Sequence, residues 1–87
     1  MFVVLVYDTA TERNPKVLKT CRQYLHWTQR SVFQGELSTA QYRHLLHSLE
    51  TAIDADYDSI VTYTTRSPSM IETNTLGVSL GGSGDIL

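Results

Sequence analysis

The chain has 87 residues, and a chain of this length folds around one modest core. Its composition, 41% hydrophobic and 18% charged, excludes disordered, collagen-like and coiled-coil proteins. Seven Lys and Arg against nine Asp and Glu give a net charge of −2, which argues against a wholly basic nucleic-acid binder while leaving room for a local basic surface.

The first half of the chain predicts a strand, a helix and a strand-rich segment. Phe2 to Tyr7 is a continuous run of β-branched and aromatic residues, typical of a central strand buried on both faces. Apolar residues then recur at helical spacing from about Pro15 to Leu25, with Asn14 as the expected cap. Trp27 to Leu37 has strand composition, and its pattern fits either one long strand or two short strands that turn near Ser31.

The second half predicts another helix and more strands. Ser38 and Gln41 form a capping-box pattern that begins a helix, and a polar turn then leads into a β-rich run from Ser59 to Thr65. Met70 to Leu76 predicts a further short strand. Two helices among these strands predict an α+β sandwich with both helices on one face of the sheet. With two strands in the middle segment, the order is β-α-β-β-α-β, the ferredoxin-like arrangement.

The end of the chain differs from the rest in composition. Four of the five glycines lie between Gly77 and Gly84, and the chain ends in Ile86 and Leu87. We therefore predict one ferredoxin-like domain over residues 1–78, followed by a C-terminal arm over residues 79–87.

The cysteine content and the N-terminal sequence predict the cellular compartment of the protein. Cys21 is the only cysteine and has no partner for an internal disulfide, which favours a reducing compartment. The N-terminus lacks the pattern of a signal peptide, and no apolar run is long enough to span a bilayer. These features predict a cytoplasmic protein that does not associate with membranes.

Asp8 is the candidate metal ligand of the sequence. It directly follows the first predicted strand, and open α/β sheets place their sites at the carboxyl ends of strands. An aspartate there is also a common turn-former or helix cap, and the residues alone favour that reading. One carboxylate is a poor Mg²⁺ site by itself, so a twofold dimer would have to supply a second copy of Asp8.

Basic residues concentrate in one part of the chain. No acidic residue lies between Glu12 and Glu36. Lys and Arg on one face of a fold bind phosphates, and a solvated helix face is an equally good explanation. The basic residues in this part of the chain are Arg13, Lys16, Lys19, Arg22 and Arg30.

These residues together resemble a known family. A first strand ending in Val6-Tyr7-Asp8, a lysine-bearing helix, and the segment QRSVFQGEL from Gln29 to Leu37 are similar to the CRISPR-associated protein two family. That family is the small subunit of the spacer-acquisition machinery, and its usual segment reads close to Q-x-S-V-F-E-G-x-L. The resemblance extends over residues 2–65.

The resemblance implies a fold, an assembly and an activity. The implied fold is ferredoxin-like, and the implied unit is a homodimer in which each C-terminal strand or arm is exchanged into the partner's sheet. The implied activity is a Mg²⁺-dependent endonuclease acting on single-stranded RNA or double-stranded DNA, with Asp8 as catalytic residue and metal ligand. The dimer is further implied to bridge two dimers of the CRISPR integrase subunit along captured DNA. The implied nucleic-acid-binding residues are Arg30 and Ser31, which match motif positions, and Arg13, Lys16 and Lys19, which match in general location.

Three functions stay open from the sequence. The first is the Mg²⁺-dependent endonuclease of spacer acquisition in antiviral defence. The second is an architectural DNA-binding adaptor without catalysis, which the acidic net charge favours because a partner would then supply much of the attraction to DNA. The third is a toxin-like ribonuclease that cuts messenger RNA and shares Asp8.

Overall fold

Four antiparallel strands form the single sheet of the structure, a computed structural model that describes residues 1–78. The predicted arm over residues 79–87 lies outside the described residues. The strands are β1 (Phe2–Asp8), β2 (His26–Gln29), β3 (Val32–Glu36) and β4 (Ser59–Thr65). Their order in the sheet is β2-β3-β1-β4, which together with two crossover helices is the predicted ferredoxin-like fold.

The central strand β1 separates two different faces of the sheet. It pairs with β3 on one side and β4 on the other, and its side chains alternate between the faces. Val3 and Leu5 are fully buried in the core beneath the helices. Val4 and Val6 point to the opposite face and are only half-buried. The prediction that β1 is buried on both faces is therefore confirmed only at Phe2 of the opposite face, which is 4% exposed. Val4 and Val6 are less buried because both helices pack on the other side of the sheet.

Helix α1 (Asn14–Arg22) differs from its prediction at both ends. Asn14 is its first residue and not its cap, because the carbonyl of Ala10 accepts the N–H groups of Arg13 and Asn14 and carries a short 3₁₀ turn, Thr11–Arg13, into the helix. The helix ends three residues before Leu25, whose N–H donates to the carbonyl of Cys21 at 2.8 Å. Leu25 nevertheless packs in the core, so the periodicity predicted its burial but not the end of the helix.

The middle segment forms two strands, the second of the two predicted alternatives. The chain turns at Arg30, which lies in the left-handed region with a φ of 39°. The indole Nε1–H of Trp27 donates to the carbonyl of Arg30 at 2.7 Å. This bond stabilises a backbone conformation that residues with a side chain rarely adopt.

Helix α2 (Thr39–Ala52) begins where it was predicted to begin. The Gln41 N–H donates to Ser38 Oγ at 3.1 Å, and the Ser38 N–H donates to Gln41 Oε1 at 2.9 Å, which confirms the capping box. Farther along, the Tyr42 hydroxyl and Thr62 Oγ1 lie 2.7 Å apart and tie the helix to β4. Neither helix in residues 1–78 has the length and apolar character required to cross a lipid bilayer.

The strand predicted for Met70 to Leu76 is wrong. A 3₁₀ turn spans Pro68–Met70, and residues 71–78 form no strand. A strand needs a neighbour that accepts its hydrogen bonds, and this segment finds none within the described part of the chain. Leu76 is accordingly 97% exposed.

The buried Cys21 gives a prediction about thiol chemistry. The side chain is fully buried in the core, and burial raises its pKa to about 11. The reactive thiolate is then roughly a thousandth of the population at pH 8. We expect Ellman's reagent to label Cys21 slowly in the native protein and rapidly in guanidinium chloride; equal rates in the two solvents would contradict its burial.

Candidate metal and nucleic-acid site

A cleft of about 460 Å³ lies at the carboxyl end of β1. It brings together three predicted site residues: Asp8, and the consecutive residues Arg30 and Ser31 from a distant part of the sequence. A carboxylate, a guanidinium and a hydroxyl thus share one opening. The cleft is lined by Val6, Tyr7, Asp8, Thr9, Asn14, Arg30 and Ser31.

Backbone pairing explains how these groups meet. Asp8 is the last residue of β1 and pairs with Ser59 of β4, so the sheet itself fixes its position. The Tyr7 N–H donates to the carbonyl of Ser31 at 3.0 Å and attaches the β2–β3 turn to the end of β1. Arg30 and Ser31 are therefore placed next to Asp8 by main-chain bonds.

Two further cleft residues, Thr9 and Asn14, were not predicted as site residues. The Thr9 hydroxyl donates a hydrogen bond to Asn14 Oδ1, so both side chains form one wall of the cleft. Their positions in the sequence could have suggested them, because Thr9 directly follows Asp8 and the loop then leads to Asn14, the first residue of α1. The interpretation of Asn14 as a helix cap did not predict that it lines the cleft.

The donor set fits a hard cation such as Mg²⁺. The carboxylate of Asp8, the amide oxygen of Asn14 and the hydroxyl oxygens of Thr9 and Ser31 are oxygen donors of the kind that Mg²⁺ prefers. No group of three or more His, Cys, Asp or Glu able to hold a metal occurs among the described residues. Each chain therefore supplies this cleft with one carboxylate, that of Asp8.

Asp8 also shares a sheet face with the half-buried valines. Its side chain follows Val4 and Val6 in the alternation along β1. On the neighbouring strands, Val61 and Tyr63 of that face are 43% and 61% exposed. We call this surface the open face; its half-buried and exposed apolar residues are Val4, Val6, Val32, Val61 and Tyr63.

The predicted nucleic-acid ligand Arg13 lies outside the cleft and forms an ion pair. Its Nε lies 2.5 Å from Asp58 Oδ2, and its Nη2 donates to Asp58 Oδ1 at 3.0 Å. The Asp58 side chain is 0% exposed. The fork of Arg13 is thus engaged within the protein, which leaves less of it to hold a phosphate.

This ion pair changes the acidity of both partners. The hydrogen bond from Arg13 is the largest effect on Asp58 and lowers the pKa of its carboxyl far below the ordinary range. Burial opposes this shift, and the N–H groups of Asp54 and Ala10 add to it. The same hydrogen bond raises the pKa of Arg13.

The lowered pKa of Asp58 predicts sensitivity to acid. The pKa of an unfolded aspartate is about 3.9, whereas folded Asp58 stays ionised to a lower pH. Its contribution to stability is therefore present above the unfolded pKa and is lost as the pH falls towards the folded pKa. We expect the Tm to fall steeply between about pH 5 and pH 2. Circular dichroism melts of wild type and Asp58→Asn test this: the variant should melt lower at neutral pH and fall less in acid, and parallel curves would contradict the assignment.

The other two predicted phosphate ligands lie on α1. Lys16 and Lys19 are exposed and do not line the cleft. Their role in nucleic-acid binding stays a prediction.

Comparisons with known proteins identify the family to which this chain is similar. A family model described as CRISPR associated protein Cas2 matches residues 1–71. A Frankia alni protein named CRISPR-associated endoribonuclease Cas2 is 63% identical over 87 residues and covers 100% of both chains. A protein of the same name from Thermotoga maritima is 41% identical over 86 residues, which are 99% of each chain.

A solved structure agrees with this assignment. The crystal structure of Streptococcus pyogenes Cas2 superposes with a TM-score of 0.78 at 32% sequence identity, covering 88% of this chain and 100% of that chain. The ferredoxin-like sheet and the sequence similarity along the whole length support the same family. The chain belongs to the CRISPR-associated protein Cas2 family.

Proposed function

We propose that the chain is a Mg²⁺-dependent endonuclease of CRISPR spacer acquisition, with RNA as a substrate. The observation that carries the proposal is the cleft in which Asp8 lies beside Arg30 and Ser31. Relatives named endoribonuclease support the RNA substrate. The free, buried thiol of Cys21 fits work in the reducing cytoplasm.

Each group of the cleft has a chemical task in this proposal. Asp8, with the oxygens of Thr9 and Asn14, would hold Mg²⁺, which when bound polarises a phosphoryl oxygen and acidifies water. Arg30 offers a planar fork for the phosphate and for the charge that grows on its oxygens during cleavage. Ser31 donates a hydrogen bond that orients the nucleic-acid backbone.

We further propose that the active unit is a homodimer formed through the open face. Contiguous apolar surface of this kind marks an interface, and Val61 and Tyr63 are exposed in a single chain. A twofold axis through the open face places the same surface of a second copy on it. Because Asp8 lies at the end of that face, such a dimer would bring two carboxylates towards one Mg²⁺.

An architectural adaptor is the second candidate. It is favoured by one observation: Asp8 is the only carboxylate, and no histidine is present, among the residues that line the cleft. With Asp8 engaged on the metal, no carboxylate or imidazole of the cleft remains as a general base. In this role the dimer would bridge two integrase dimers and hold duplex DNA by its backbone, with Lys16, Lys19 and Arg30 as phosphate contacts.

One experiment with paired readouts separates these functions. Purified protein is incubated with single-stranded RNA and with duplex DNA in Mg²⁺ and in EDTA, and the same preparation is used to capture the CRISPR integrase subunit. Cleavage of RNA only in Mg²⁺, together with capture of the integrase, is expected. Capture without cleavage would favour the adaptor, and EDTA-resistant cleavage would contradict the metal mechanism.

The toxin-like messenger ribonuclease makes a different prediction. It requires RNA cleavage without any affinity for the integrase subunit, and growth arrest on overexpression that Asp8→Ala removes. Capture of the integrase at micromolar concentration would contradict it.

A further inference from the structure

Asp58 is the one charged side chain that is buried within residues 1–78. Its two oxygens accept hydrogen bonds from three places. The N–H of Ala10 donates to Oδ1 at 2.8 Å and the N–H of Asp54 to Oδ2 at 2.9 Å, and Arg13 donates to both oxygens. Ala10 and Arg13 lie 48 and 45 residues away in sequence. Asp58 therefore joins the loop after β1 to the turn before β4.

The loop that Asp58 holds forms a wall of the Asp8 cleft. Ala10 is its fixed point, because its N–H is bound by Asp58 while its carbonyl accepts the N–H groups of Arg13 at 2.9 Å and Asn14 at 3.1 Å. Thr9 and Asn14 lie on either side of this fixed segment and line the cleft. Ala10 is therefore joined to both oxygen-bearing residues, to Thr9 through the chain and to Asn14 through a backbone hydrogen bond.

We propose that Asp58, together with Arg13, is a positioning residue for the metal site: it fixes residues 9–14 so that the oxygens of Thr9 and Asn14 are held beside the Asp8 carboxylate. This inference rests on the proposed function, since it requires that Asp8 bind a metal. Asp58 touches neither the metal nor the nucleic acid. It acts through the backbone of Ala10 and the guanidinium of Arg13, as the outer partners of metal ligands do.

The chemistry of Asp58 determines which substitutions are informative. Asn at this position keeps the shape, but its NH₂ group would face donors that also need an acceptor. At least one of the bonds from Ala10, Asp54 and Arg13 is then lost. Exchanging the pair, Arg13→Asp with Asp58→Arg, restores opposite charges but gives the two backbone N–H groups no acceptor. We expect that exchange to fail, which separates a backbone anchor from a simple ion pair.

The test measures metal binding without activity. Mn²⁺ replaces Mg²⁺ as the probe, and its dissociation constant is measured by electron paramagnetic resonance for wild type, Asp58→Asn and Arg13→Gln. Asp56→Asn, an exposed carboxylate of the same turn, is the matched control. Loss of an outer partner weakens metal binding by about 10- to 100-fold, so Asp58→Asn should fall in that range. Arg13→Gln should weaken metal binding by a smaller factor, because the Asp58 carboxylate still accepts the Ala10 N–H. Asp56→Asn should bind Mn²⁺ with wild-type affinity.

Amide hydrogen exchange gives the second readout. The Ala10 amide should be protected in wild type, Asp56→Asn and Arg13→Gln, and it should exchange at least about tenfold faster in Asp58→Ala, which removes both acceptor oxygens. Rapid exchange of Ala10 with unchanged Mn²⁺ affinity in Asp58→Ala would show that Asp58 is merely structural and would overturn the inference. If Asp58→Asn does not fold, Arg13→Gln decides the question: its affinity must fall measurably below that of the control.

The failure of the inference differs from the failure of the proposed function. If Asp8→Asn binds Mn²⁺ as wild type does, the metal is not held at Asp8 and both ideas fail together. If Asp8→Asn loses the ion while Asp58→Asn and Arg13→Gln retain it with full affinity, the metal site stands and only the positioning role fails.

Discussion

Replacing Asp8 by Asn is expected to lower Mg²⁺-dependent cleavage by at least about 100-fold, because a metal supplies several kcal/mol of stabilisation to the transition state and each 1.36 kcal/mol is tenfold in rate. The amide keeps the shape and one oxygen donor, but it loses the negative charge that attracts the cation. Asp8 is exposed at a strand end, so folding should be unaffected. Initial rates on a labelled single-stranded RNA over a range of Mg²⁺ concentrations measure the effect.

The control for this experiment is Asp56→Asn, which removes the same charge from another exposed position. It should retain the wild-type rate. If the Asp8 variant also retains it while EDTA abolishes cleavage, the metal is bound somewhere other than the cleft. If the variant loses its fold, seen as a lower Tm, the loss of rate does not count as support for metal binding at Asp8.

Replacing Val61 by Asp is expected to convert the proposed dimer to a monomer. Val61 lies on the open face and is 43% exposed in one chain, so a carboxylate there costs little in the monomer. In a face-to-face dimer it would be buried without a partner, at a cost of several kcal/mol. Two such carboxylates, one from each copy, should weaken dimerisation by at least about 1,000-fold, since each 1.4 kcal/mol is tenfold.

Thr64→Asp is the matched control, because Thr64 lies on the same strand but on the opposite face and is exposed. Light scattering coupled to size-exclusion chromatography at micromolar concentration measures both variants. Val61→Asp should elute with the mass of one chain and Thr64→Asp with that of two. A dimer that survives Val61→Asp would show that the interface lies elsewhere. The open face would then not bring the two Asp8 carboxylates together.

The fold was predictable because its elements carry local signals. The apolar run of β1, the helical spacing that ends at Leu25, and the capping box at Ser38 each specify structure within a few residues. The strand expected at Met70 to Leu76 failed for the opposite reason. A strand depends on a neighbour that local sequence does not describe.

The candidate site was predictable only in part. Asp8, Arg30 and Ser31 meet in the cleft because backbone pairing joins the end of β1 to the β2–β3 turn. Asp58, in contrast, reads in sequence as one of three aspartates in a polar turn. Its burial and its bond to Arg13, 45 residues away, arise from packing between distant segments. No local sequence pattern predicts them.

The stoichiometry of Mn²⁺ binding tests the central claim most directly, because it asks whether two copies of Asp8 share one ion. Isothermal titration calorimetry of the wild-type protein, of Asp8→Asn and of Val61→Asp supplies the measurement. We expect one ion for every two chains in wild type, with binding lost in Asp8→Asn and greatly weakened in Val61→Asp. One ion per chain, retained in Val61→Asp, would contradict a shared site, and unchanged binding in Asp8→Asn would contradict a site at Asp8 altogether.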